Sequence, residues 1–128
     1  MILGVGIDLV DVDRMERTLR SRWAARFISR VFSEEEISVS ENSPRPGQSY
    51  AARFAAKEAL VKALGTGFSR GIMPGHILVR GGERTRPRIE LTSAALAQAQ
   101  SMQVGEIHVS LSHTTTTACA VVVLEKQD

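Results

Sequence analysis

From Ile2 to Val10, large and small side chains alternate. Leu3, Val5, Ile7 and Leu9 fall on one side of an extended chain, and Gly4, Gly6, Asp8 and Val10 on the other. The pattern predicts a strand whose bulky face lines the core. Its second face, nearly free of bulk as far as Asp8, admits another backbone or a ligand at close range. Asp11 then has the side chain of an N-cap, and Val12, Met15 and Leu19 follow at helical spacing to about Arg20. Trp23, Phe27, Ile28 and Val31 give a second amphipathic piece. Ser33-Glu34-Glu35-Glu36 meets the capping-box pattern and starts a third helix. There the three acids suit the positive end of the helix dipole better than they suit a metal.

Asn42-Ser43-Pro44-Arg45-Pro46-Gly47 reads as a loop. It delivers the chain to its longest helical stretch, centred on Arg53-Phe54-Ala55-Ala56-Lys57-Glu58-Ala59-Leu60-Val61-Lys62. The helix stops at Gly65-Thr66-Gly67, with glycine where a left-handed cap belongs. Ala51, Phe54, Ala55, Glu58, Val61, Lys62 and Gly65 share one face, and Ala52, Ala56, Ala59, Leu60 and Ala63 the opposite one. A helix apolar on two sides is mostly buried. Glu58 and Lys62 therefore stand at i,i+4 spacing in surroundings that oppose charge. Either they form an ordinary helix ion pair, or a metal ion or substrate phosphate compensates both.

After a turn-rich segment through Pro74-Gly75, His76 to Arg80 reads as a strand, Gly81-Gly82 as a turn and Arg88 to Leu91 as the hairpin partner. Thr92 or Ser93 caps a helix running to about Met102. Between Glu106 and Ser112 the residues Ile107, Val109 and Leu111 face inward, and Ala118 to Leu124 is apolar on both faces, as a central strand is. The order of elements predicts an α+β fold: a single domain over residues 1–128 with a largely antiparallel sheet packed on helices.

Charge changes this picture at one place. The formal net charge is only +2, but Arg14, Arg17, Arg20, Arg22, Arg26 and Arg30 crowd the region after the first strand. Such a face either meets an acidic partner or is solvated surface. A lone cysteine, Cys119, allows no intrachain disulfide and points to a reducing, cytoplasmic setting. Neither a signal peptide nor an apolar run long enough to span a bilayer is visible, so no membrane insertion is expected.

Several chemistries lack their residues. No cysteine or histidine cluster has zinc-ligand spacing, and no Gly-x-Ser-x-Gly elbow supports a serine triad. Gly65-Thr66-Gly67 follows its helix, whereas a phosphate-cradling loop precedes one. A phosphate near this helix must be held by Lys62 or by a cation. That favours Mg²⁺, which takes one or two carboxylates along with phosphate oxygens and water.

Three stretches occur together in a recognisable order: Gly6-Ile7-Asp8-Leu9-Val10; Phe54-Ala55-Ala56-Lys57-Glu58-Ala59 with Lys62 and Gly65-Thr66-Gly67; and His108-Val109-Ser110-Leu111-Ser112-His113. With them the whole chain resembles the holo-[acyl-carrier-protein] synthases, the small bacterial 4′-phosphopantetheinyl transferase family. The resemblance implies the 4′-phosphopantetheinyl transferase fold. It implies transfer of 4′-phosphopantetheine from coenzyme A to a serine of apo-acyl carrier protein, with adenosine 3′,5′-bisphosphate released, in support of fatty acid biosynthesis. Asp8 and Glu58 match the family's Mg²⁺ ligands. Glu58, directly or through a metal-bound water, matches the base, and Lys62 the group that stabilises phosphate charge. Arg53, Lys62, Gly65, Pro87, His113 and Thr114 match coenzyme A contacts; if the first helix docks the carrier, its outward cations Arg14, Arg17 and Arg20 would meet the carrier's acidic surface. The family is also homotrimeric, with sites between protomers. Gly82-Glu83-Arg84-Thr85-Arg86-Pro87 departs from the family pattern, lacking the glycine often found before the basic-proline pair. A non-catalytic coenzyme A or carrier-binding module would discard the two carboxylates. A nucleic-acid-binding domain would explain the arginines, but the chain has few aromatics for stacking, so no nucleic acid partner is expected.

Overall fold

Two glycines decide how the layers meet. The computed structural model describes residues 1–128, and in it strand β1 (Ile2–Asp11) lies along helix α4 (Pro46–Leu64). A Cβ added at Gly4 would stand 2.0 Å from the Ala63 carbonyl oxygen, and one at Gly6 would stand 1.9 Å from that of Ala59. Only hydrogen fits, so strand and helix backbones approach directly. The close approach expected of the glycine side is therefore observed, but the core assignment is reversed. Val5, Ile7 and Leu9 are 59%, 56% and 66% exposed, and the glycine face is the one that packs. Leu3 still reaches the core, because the pairing register shifts between Ile2 and Gly4. The reason is volume: Ala55, Ala56, Ala59 and Ala63 present a flat helix surface, and a flat partner lies closest to it.

The remaining elements follow the chain. Helices α1 (Val12–Leu19), α2 (Ala24–Val31) and α3 (Glu34–Glu41) precede α4; β2 (Ile77–Arg80) and β3 (Arg88–Leu91) form a hairpin; α5 (Ser93–Ser101) leads to β4 (Val104–His113) and β5 (Thr117–Lys126). All pairings are antiparallel, in a sheet of order β1-β5-β4 and the separate β2-β3 pair. The expected α+β fold is the observed one, and β5 is its central strand. On β5, Ala118, Ala120, Val122 and Leu124 are fully buried against α4, while Cys119, Val121 and Val123 lie on the partly open face beside Leu9, Ile7 and Val5. No helix is long and apolar enough to cross a membrane.

Local signals hold at the helix ends. Asp11 accepts from the Asp13 backbone N–H, the Ser33–Glu36 capping box is complete, and Gly65 takes φ 81° at the end of α4. The start of α4 differs from expectation. Pro46 and Gly47 belong to the helix, not to the loop before it. Proline at the first helical position loses a hydrogen bond that no helix makes there. A Cβ at Gly47 would lie 2.3 Å from Glu16 Cγ of α1, so a larger residue there would require the Glu16 side chain to move.

Candidate active site

α4 carries four charged side chains, and their surroundings differ sharply. Arg53 and Lys57 are buried, Glu58 is half-buried and Lys62 is exposed. The expectation that Glu58 and Lys62 share a charge-hostile environment fails for Lys62 and for the pair. Lys62 instead reaches across to β1, donating to Asp8 Oδ1 and to the Ile7 carbonyl, each at 3.0 Å. Asp8 stands on the packed face of β1 opposite Ala120, directly beyond Gly6, so the close strand–helix contact places its carboxylate over the last turns of α4.

Asp8, Glu58 and Lys62 share one cavity of about 690 Å³, with Arg14 of α1 at its edge and Phe27 and Phe54 in its wall. The Glu58 carboxyl is pushed above its ordinary range, first by burial and then by the negative charge of Asp8, while Lys62 pulls the other way. Among the charged side chains lining the cavity, three carboxylates (Asp8, Asp11 and Glu58) outnumber two cations (Arg14 and Lys62), which leaves the site short of positive charge. Neither histidine nor cysteine joins them, and no group of three metal-ligating side chains forms. Two carboxylates facing an open cavity fit a hard cation that completes its shell with phosphate and water.

The residues matched to coenzyme A do not all gather here. Arg53 and His113 line a second cleft of about 360 Å³, together with Ser43, Arg45, Gln48 and Glu83. Pro87 stands beside Gly82 at its rim, and the Thr114 carbonyl accepts from Gln48 Nε2 at 3.0 Å. Gly65, by contrast, is the exposed cap just past Lys62. Arg53 and Lys62 are nine residues apart on α4. At about 100° per residue they leave the helix on opposite sides, roughly 13 Å apart along its axis. The matched residues thus divide between two separate clefts. Arg14 and Arg17 are exposed on α1, and Arg20 is exposed at its C-terminal cap.

Two charged features escaped the sequence reading. The first is a buried ion pair: Lys57 Nζ donates to Glu36 Oε1 at 3.0 Å, to the Pro74 carbonyl at 3.1 Å and to the Ile77 carbonyl. Glu36 is thus more than first-turn helix chemistry. It also accepts from the Ser33 and Val79 backbone N–H groups, both at 2.8 Å. The signal was present in Lys57 itself, which shares an i, i+3, i+4, i+7 stripe with Leu60, Val61 and Leu64. The second is Glu83, which meets Arg53 at 3.6 Å. Nothing in the sequence links a turn residue to a helix thirty positions earlier.

Comparison with known proteins agrees with this architecture. The family model described as the 4′-phosphopantetheinyl transferase superfamily matches residues 4–122. The holo-[acyl-carrier-protein] synthase of Syntrophus aciditrophicus is 44% identical over 125 residues, covering 98% of this chain and 97% of its own. The crystal structure of the holo-[acyl-carrier-protein] synthase from Neisseria meningitidis superposes with a TM-score of 0.86 at 30% identity, covering 98% of this chain and 100% of that one. That of Bacillus anthracis, in complex with CoA (3′,5′-ADP), gives 0.79 at 33% identity and covers 99% of both chains.

Proposed function

The chain belongs to the 4′-phosphopantetheinyl transferase superfamily, among the holo-[acyl-carrier-protein] synthases, and from that premise we propose the reaction it performs. It transfers 4′-phosphopantetheine from coenzyme A to a serine hydroxyl of an apo-acyl carrier protein. The serine oxygen forms a bond to the β-phosphorus. The bond from that phosphorus to the bridging oxygen breaks, and the electron pair leaves with adenosine 3′,5′-bisphosphate. The observation that carries this reading is the convergence of Asp8 from β1 with Glu58 and Lys62 from α4 in one open cavity.

Asp8 and Glu58 would hold Mg²⁺, which when bound supplies positive charge to the pyrophosphate. Glu58 is suited to take the serine proton, directly or through a water, because burial and Asp8 raise its proton affinity. Lys62 is half-exposed and tethered only through its tip, so its ammonium can turn from Asp8 to the phosphate on which charge accumulates. The exposed cations Arg14, Arg17 and Arg20 supply a docking face for an acidic carrier, and Arg14 places that face at the cavity edge.

The opposite aspects of α4 explain why assembly belongs to the proposal. Arg53, Pro87, His113 and Thr114 reach a ligand held by Lys62 and Gly65 only if they come from a second copy. The apolar strip of Val5, Ile7 and Leu9 supplies a surface for that copy. A homotrimer with sites between protomers meets both conditions, and the reaction serves fatty acid biosynthesis in the cytoplasm. Incubation with coenzyme A, Mg²⁺ and an apo-carrier, followed by intact mass of the carrier, tests the reading. It requires one added phosphopantetheine, dependent on both coenzyme A and Mg²⁺; an unchanged carrier mass would refute it.

A further inference from the structure

The cleft around Arg53 is built for an anion and holds one of its own. Arg53 is 2% exposed, yet its guanidinium is incompletely satisfied. Nη2 donates to the Gly81 carbonyl at 2.8 Å and Nη1 to Ser49 Oγ at 3.0 Å, while Nε has no partner. Ser43 Oγ, lining the same cleft, is also buried without a partner. Among the lining residues Arg45, Gln48, Arg53, Ser43 and His113 all offer donors, and Glu83 is the sole acid.

Glu83 sits near the apex of the turn between β2 and β3. Gly81 and Gly82 take φ 70° and 97°, and the Gly82 N–H donates to the Thr85 carbonyl at 2.9 Å. The turn directs the Glu83 carboxylate toward Arg53. Oε1 lies 3.6 Å from Arg53 Nη1 and accepts from Ser49 Oγ at 3.4 Å. Both contacts are long, and the Glu83 side chain is 47% exposed while that of Arg53 is 3% exposed. A buried, under-satisfied cation thus has a loosely held carboxylate that one side-chain rotation would release to water.

Resting on the reading of this cleft as a coenzyme A contact, we propose that Glu83 is an internal counter-ion of Arg53 that a phosphate ester of the ligand displaces. Glu83 thereby sets how tightly the cleft takes phosphate-bearing ligands. The device occupies the guanidinium when no ligand is present and taxes every anion that enters. Its effect is electrostatic, so it fades with salt.

Calorimetric binding of adenosine 3′,5′-bisphosphate, with adenosine as the phosphate-free control, tests this on wild type, Glu83→Gln, Arg53→Gln and the double variant. Glu83→Gln is expected to bind the bisphosphate about five-fold more tightly at low salt. It should bind adenosine unchanged and lose its advantage at high salt. In the Arg53→Gln background the gain should vanish. Weakened binding by Arg53→Gln with no gain from Glu83→Gln would overturn the counter-ion role while leaving the cleft as a phosphate contact. Binding indifferent to Arg53→Gln would overturn both. Should Arg53→Gln fail to fold, the comparison of wild type with Glu83→Gln at low and high salt still decides, because a gain absent at low salt or persisting at high salt contradicts the proposal.

Discussion

Lys57 and Lys62 lie five residues apart on α4, and each meets one carboxylate at 3.0 Å. Around Lys57 and Glu36 the side-chain exposures are 0% and 1%, and every donor of the ammonium has an acceptor. Around Lys62 and Asp8 they are 52% and 16%, and the ammonium touches a carboxylate that is itself the candidate ligand of something else. The first pair joins α4 to α3, to the Pro74 turn and to β2, so it is architecture. The second joins two elements loosely at the mouth of a cavity, so it can exchange partners. Ion-pair distance alone does not separate them; burial and completeness of bonding do.

Breaking the buried pair should have the largest effect. Lys57→Ala leaves Glu36 charged, buried and short of a partner, and should cost about 3–5 kcal/mol in denaturant unfolding. A loss below about 1 kcal/mol would show that the pair is not what fixes α4. Lys62→Ala should do the reverse, lowering turnover about 10²–10³-fold while unfolding free energy stays within about 0.5 kcal/mol. Coenzyme A binding should weaken less than turnover falls. A raised Michaelis constant with turnover intact would make Lys62 a binding residue only.

The surface arginines lie between these extremes. Arg14→Glu should slow carrier modification several-fold at low salt, with coenzyme A affinity nearly unchanged, and the deficit should shrink as ionic strength rises. Equal carrier kinetics at low salt would reduce the basic face to solvated surface. The smallest effect concerns Glu58 in metal-free protein. Its folded pKa is raised, so its contribution to stability is full below its ordinary value near 4.5 and is lost as pH rises through the folded value. Glu58→Gln should therefore match wild type in acid and melt about one to two degrees higher at neutral pH. A lower melting temperature at neutral pH would mean that Glu58 is held by favourable contacts.

What the sequence made legible follows from how local each signal is. Asp11, Ser33-Glu34-Glu35-Glu36 and Gly65 mark helix ends through contacts within a few residues, and the hairpin of β2 and β3 announces itself through Gly81-Gly82. The facing of β1 is not legible in the same way, because alternation reveals two faces without saying which one packs. Bulk normally decides, but here a helix surface of alanines selected the glycines. Glu36 and Lys57 are far apart in sequence, and only the packed structure shows that they meet. Asp8, Glu58 and Lys62 were legible as a set through resemblance, and the strand–helix contact supplies the physical reason they converge. The same helix explains why the residues matched to coenzyme A divide: Arg53 and Lys62 are matched to one ligand but leave α4 on opposite sides.

The account turns on Asp8, the candidate metal ligand that β1 contributes to the cavity. The most direct measurement is carrier loading by Asp8→Asn, read by intact mass across Mg²⁺ concentrations, with thermal unfolding of the same protein alongside. The variant should remain folded, as stable as wild type or more so because one of two repelling carboxylates is gone. It should add no phosphopantetheine at Mg²⁺ concentrations that saturate the wild type. Loading at the wild-type rate and with the wild-type Mg²⁺ dependence would contradict the assignment.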